Sequence, residues 1–143
     1  MSSIADTQNQ IVADFAKHAE WEDKYKHLMA LGKELPAYPE EQRLDKYKVK
    51  GCQSQVWVYP VFDGERIVFH VDSDAMIVKG LAAVLQKTFS GATPAEIAAA
   101  PMEFLQAIGL TSHLSQSRSN GLAAMVRQFK NYAVAYAMLS GKS

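Results

Sequence analysis

Apolar residues recur at helical spacing through the first third of the chain, alternate at strand spacing in the middle, and return to helical spacing up to the end. Ile11, Val12 and Phe15 lie on one stripe, with Asp6 or Thr7 as N-cap and Ile4 stapling from outside. A second helix presents Trp21, Tyr25, Leu28 and Met29 on one face, and Gly32 is placed to end it as the C′ residue. Leu35-Pro36 leaves that helix. The stretch 36–50, with Pro39 and seven charges, reads as a solvated connection.

From Gln55 the period becomes two. Val56, Val58 and Phe62 alternate with Gln55, Trp57 and Tyr59, then Asp63-Gly64 signals a hairpin, and Ile67, Phe69 and Val71 form the antiparallel return. Pro60 has no N–H for a ladder, so it belongs at an edge or a bulge. Two strands alone present little apolar face, which makes Tyr47 to Lys50 the candidate for a third. Ser73 or Asp74 caps the next helix, whose face is Ile77, Leu81, Val84 and Leu85 and whose end lies near Gly91. Thr93-Pro94-Ala95-Glu96 is a capping box with proline at N1; the short helix it opens stops before Pro101, and another runs from Met102 to Gly109. Leu122, Met125, Val126, Phe129, Tyr132, Ala133 and Tyr136 mark a long closing helix that opens near Gly121. Strands that cluster between helices predict an α+β fold: two N-terminal helices, a small three-stranded antiparallel sheet, and several C-terminal helices packed on it. No linker or repeat interrupts the pattern, so residues 1–143 read as one domain.

Charge and composition narrow the chemistry. Fifteen basic residues balance fifteen acidic ones and the signs are interspersed, which argues against nucleic-acid binding. The first basic residue is Lys17 and no run approaches the ~18 apolar residues of a membrane span, so a cytoplasmic protein without a membrane partner is expected. Histidines 18, 27, 70 and 113 show no metal spacing, and Gly141-Lys142-Ser143 mimics only the tail of a phosphate-binding loop. Neither a resident metal nor a cofactor is expected.

Cys52 is the single cysteine. It is either a small buried hydrophobe or a reactive thiol. Its neighbours favour the second: it follows Gly51, which permits a positive φ, and precedes Gln53-Ser54-Gln55, which can donate hydrogen bonds to sulfur. A cysteine hydrolase would need a histidine base, and none is recognisable; attack of a thiolate on a disulfide or persulfide sulfur demands less.

The run Gly51-Cys52-Gln53-Ser54-Gln55-Val56-Trp57 resembles the signature of the SufE family, sulfur acceptors of bacterial iron–sulfur cluster assembly. Other segments match in order: Trp21 to Tyr25 leading to Leu31-Gly32, the Leu35-Pro36 exit, Asp72 to Ala75 with Ile77 to Leu81 behind it, and His113-Leu114 followed by Ser117 to Gly121. The likeness spans about residues 11 to 140, with Tyr47 standing where the family pattern carries asparagine. It implies a persulfide on Cys52, received from a pyridoxal-phosphate-dependent cysteine desulfurase of the SufS or CsdA type, whose turnover the protein stimulates, and passed toward a cluster scaffold. From the residues themselves, Gly51, Gln53 and Ser54 read as the supporting loop; Arg118 is either a plain surface arginine or, with Asn120 and the first amides of the last helix, a source of positive potential beside the sulfur; Asp74 is either a helix cap or a rim contact for the desulfurase. The paralogous CsdE group shares the pattern. Two other readings stay open: an adaptor that activates a desulfurase without using the thiol, and a cluster scaffold, against which a single cysteine argues.

Overall fold

The hydroxyl of Ser3 accepts the Asp6 N–H at 3.0 Å, so the first helix, α1 (Ile4–Ala16), starts earlier than the Asp6 or Thr7 cap would place it, and Ile4 packs from inside the helix. The computed structural model describes residues 3–139; the Gly141–Ser143 tail lies outside them. There follow α2 (Trp21–Lys33), a connection with two single 3-10 turns (Glu40–Gln42 and Asp45–Tyr47), the strands β1 (Val56–Phe62) and β2 (Ile67–Ser73), and five helices. These are α3 (Met76–Phe89), α4 (Pro94–Ala99), α5 (Phe104–Ala107), α6 (Leu110–His113) and α7 (Gln116–Leu139). No described helix is long and apolar enough to cross a membrane.

The centre is α3. It lies against α2, β2, α7 and α1 at once, which is why Leu81, Ala82, Val84, Leu85 and Phe89 are all fully buried. Phe69 of β2 meets Phe129 of α7 edge-on at 4.6 Å, and Phe89 completes the stack. Gly32 does not end its helix as the sequence suggests. The helix continues to Lys33, and Gly32 is buried where α2 crosses α3: a Cβ there would lie 3.1 Å from the Gly80 nitrogen.

The sheet has two strands, not three. Val49 donates one hydrogen bond to the Val56 carbonyl at 2.8 Å and Lys48 forms one bridge to Trp57, but the preceding 3-10 turn and the reversal at Gly51 stop a ladder from extending. Pro60 sits in register opposite Phe69 without a bulge, on a strand that has only one full neighbour. The inner face of the hairpin packs on the helices. Part of the outer face is covered by the connection: the Arg43 guanidinium lies 5.0 Å from the Trp57 ring and 5.1 Å from Tyr38, and bonds Asp72 at 2.6 Å. Ion pairs with Arg43 and Lys79 hold the Asp72 carboxyl below its usual range despite its burial.

Neither Ser73 nor Asp74 caps α3. Ser73 Oγ accepts the Ala75 N–H, while Asp74 Oδ1 accepts the Gln55 N–H at 3.0 Å and ties the entry of β1 to the exit of β2. The Thr93–Glu96 capping box forms as expected. The last helix opens at Gln116 rather than near Gly121, because Ser115 receives the Arg118 N–H on its hydroxyl and the Ser119 N–H on its carbonyl.

The crossing of α2 and α3 tolerates no side chain on Gly80, where a Cβ would strike the Leu28 carbonyl and come within 2.8 Å of its Cγ. Gly80→Ala is expected to lower unfolding stability by about 3 kcal/mol in a denaturant titration, although alanine is the better helix former.

Candidate functional site

Lys50 ends an extended segment, and Gly51, at φ +94°, turns the chain back so that Cys52 meets α7. A residue with a side chain would be strained at that angle. The contact on the helix side is made of small residues: a Cβ on Gly51 would lie 3.5 Å from the Ala124 Cβ, and one on Gly121 would lie 3.4 Å from Cys52 Sγ. Glycine costs about 1 kcal/mol relative to alanine inside a helix. Outside its own helix, only Cys52 comes within 4 Å of where a Gly121 methyl would lie, so the helix surface beneath the thiol is bare backbone.

Cys52 is half-buried, and its Sγ donates a long hydrogen bond of 3.5 Å to the Gly121 carbonyl. Beside it opens a cavity of about 410 Å³. Its apolar side is built by Ala75, Val78 and Leu81 at the start of α3 and Met125 of α7; its polar side by Gln53 and Ser54 of the loop and by Ser115, Ser117 and Arg118 at the start of α7. Burial pushes the Cys52 thiol up, with Arg127 pulling weakly the other way.

The structure therefore brings together Cys52, Gln53, Ser54 and Arg118. Among the described residues the Arg118 guanidinium has no hydrogen-bond or ion-pair partner, so its charge is free at the cavity. Asn120 lies elsewhere: it is exposed, its Oδ1 is bonded to Gln116 at 2.9 Å, and it forms no part of the wall. Gly51 lies behind the thiol rather than in the cavity, and Asp74, exposed next to Ala75, braces the hairpin. The sequence pattern did not single out Ser115, Met125 or Arg127 as site residues. Met125 fell within the helix stripe as ordinary core, and Ser115 lay ahead of the expected helix start, so neither carried a signal of its own.

No histidine lines the cavity, which leaves no base for a hydrolytic cysteine. Among the described residues no three His, Cys, Asp or Glu side chains gather as metal ligands. The arrangement suits reversible sulfur chemistry: one thiol on a turn, shielded on one side and open on the other.

The chain is similar to known proteins over most of its length. The profile of the SufE family, described as an Fe-S metabolism associated domain, matches residues 9–133. An uncharacterized SufE-like protein of Rhizobium meliloti (strain 1021) is 42% identical over 130 residues, covering 87% of this chain and 93% of that one. The sulfur acceptor protein CsdE of Escherichia coli (strain K12) is 42% identical over 113 residues, 78% of this chain and 77% of its own. The solution structure of a hypothetical protein from Thermus thermophilus superposes with a TM-score of 0.77 at 20% identity, covering 92% of this chain and 96% of that one, a likeness of fold.

Because burial disfavours the thiolate, iodoacetamide alkylation of Cys52 is expected to rise with pH to a midpoint above that of a solvent-exposed cysteine. Arg127→Gln, by removing the cation that favours the charged form, moves that midpoint further up; the pH profile of the alkylation rate is the measurement.

Proposed function

The chain belongs to the SufE family of Fe-S metabolism proteins, and from that membership we propose that it is a sulfur acceptor whose Cys52 takes a sulfane sulfur from a pyridoxal-phosphate-dependent cysteine desulfurase, stimulates that enzyme, and passes the sulfur on for iron–sulfur cluster assembly. The observation that carries this reading is the position of Cys52: its sulfur sits at the edge of an open cavity, on a loop with its back against α7.

In the transfer step, Cys52 loses its proton and its thiolate attacks the terminal sulfur of the partner's persulfide. The partner's S–S bond breaks, a new S–S bond forms on Cys52, and the partner's cysteine departs as thiolate. Sulfane sulfur changes carriers with no net oxidation or reduction. Gln53 and Ser54, beside Cys52 on the cavity wall, are placed to donate hydrogen bonds to the loaded sulfur, while Val78, Leu81 and Met125 keep part of the site dry. Arg118, with the positive N-terminal end of α7, supplies positive potential for the anions that enter and leave. Asp74, exposed next to the cavity wall, is a rim contact for the desulfurase. Asn120 acts at most through Gln116, since it does not reach the cavity. With one cysteine, the chain cannot by itself supply the thiolates a cluster needs, which favours a carrier over a scaffold.

Incubation with a desulfurase and free cysteine should add the mass of one sulfur atom to the peptide containing Cys52, and a Cys52→Ser variant should neither gain that mass nor stimulate turnover. Stimulation that survives in Cys52→Ser would establish a thiol-independent adaptor instead. Arg118→Ala is expected to slow sulfur acceptance about tenfold, the worth of one charge-assisted hydrogen bond. Because Arg118 is exposed, stability should change by less than about 0.5 kcal/mol, read from the same protein's thermal melt.

A further inference from the structure

On the other side of the Cys52 loop lies a second groove of about 640 Å³. One wall is the end of the connection, the 3-10 turn with Asp45 and Lys46 and then Lys48 and Lys50; the other is a face of α7, with Ala124, Arg127, Gln128 and Asn131. Four cations face the groove against a single carboxylate, in a chain whose basic and acidic residues are equal in number overall. Asp45 pairs with Lys48 at 3.4 Å. Lys46, Lys50 and Arg127 have no ion-pair partner among the described residues, in contrast to Lys17, Arg43 and Lys79, each of which meets a carboxylate. Lys46 rests only on the Tyr47 ring, 5.1 Å from its centroid.

The groove shares its parts with the sulfur site. Lys50 is followed directly by Gly51 and Cys52, and Ala124, which backs Gly51, is also a groove wall. Two neighbouring faces of α7 therefore line the two hollows: Gly121 and Met125 the cavity, Ala124, Arg127 and Gln128 the groove. An occupant of the groove would press on the loop from behind while its parent molecule reached the thiol from the front.

We propose that this groove docks an acidic, extended segment of the protein that delivers sulfur to Cys52, with side-chain carboxylates of that segment set between Lys46 and Lys50 on one wall and Arg127 on the other. The inference rests on the sulfur-acceptor reading and names a second point of attachment for its partner. Unneutralised cations on both walls favour a carboxylate-bearing guest, and the exposed Asn131 amide is placed to bond its backbone, while Gln128 Nε2 donates to the Tyr132 hydroxyl. Nucleic acid is disfavoured: no aromatic ring lines the groove to stack a base, and the chain has no excess of positive charge.

The test is desulfurase turnover as a function of carrier concentration, with wild type, Lys46→Glu/Lys50→Glu and the milder Lys46→Gln/Lys50→Gln, at low and at physiological salt. Charge reversal should raise the half-saturating concentration about tenfold or more at low salt, neutralisation should raise it by less, and added salt should weaken wild type while leaving the reversed variant nearly unchanged. Half-saturation of the reversed variant within twofold of wild type, or a loss confined to maximal turnover, overturns the docking assignment. So does tight competition by a single-stranded oligonucleotide. A wild type that takes no sulfur onto Cys52 removes the acceptor reading and this one with it, whereas a loaded wild type matched by its variants removes only the groove. Circular dichroism melts of the variants confirm that any loss is read on folded protein.

Discussion

The site depends on how closely a turn of backbone can lie against a helix. Gly51 reaches Ala124 and Cys52 reaches Gly121 because α7 carries nothing larger than a methyl group at those two places. That contact decides the rest. It half-buries the sulfur, gives it a carbonyl to donate to, raises its affinity for a proton, and leaves its free side turned toward an open hollow. A larger residue at either position would push the loop away from the helix and turn a sheltered thiol into an ordinary surface one.

Behind this contact the fold is stiff where it must be. The α2–α3 crossing closes on Gly32 and Gly80, and α3 in turn supports the hairpin and one side of the cavity. The hairpin needs that support, since two strands cannot hold themselves together in water. Its outer face is held by Arg43, which stacks on Trp57 and Tyr38 while pairing with Asp72 and Glu40, so that the connection leading to Cys52 is fastened well ahead of the loop. Asp74 fastens the other side through Gln55. The loop of residues 51–54 is thus a short free span between two anchored points.

What the sequence revealed about this arrangement followed the range of the forces involved. The Thr93 capping box, the hairpin and the stripe of α7 were readable because each is settled by residues within a turn or two of one another. Gly32 was misread as a stop signal because its reason is Gly80, a partner far along the chain that periodicity does not show. The third strand failed for a similar reason: Lys48 and Val49 do reach β1, but a turn before them and a reversal after them leave room for one bridge only. The start of α7 was placed late because Gln116 to Asn120 are polar and carry no apolar rhythm, although Ser115 caps them. Cys52 stood out through its neighbours; the pull of Arg127 on its charge could not be read, since that depends on where a distant helix face comes to rest.

The dimensions of the hollow next to the thiol carry a last implication. A single sulfur atom needs only a small fraction of about 410 Å³, a space that in water would hold on the order of ten solvent molecules. Under the proposed sulfur-acceptor reading, its size fits a visiting polypeptide more than the sulfur that polypeptide would bring. Solvent lying over Ala75 and the exposed edge of Val78 is poorly bonded there, and its return to bulk as a polypeptide enters would contribute favourably to association. Expulsion of that solvent would coincide with the moment when an exposed sulfur–sulfur bond most needs protection, coupling arrival to dryness without any moving lid.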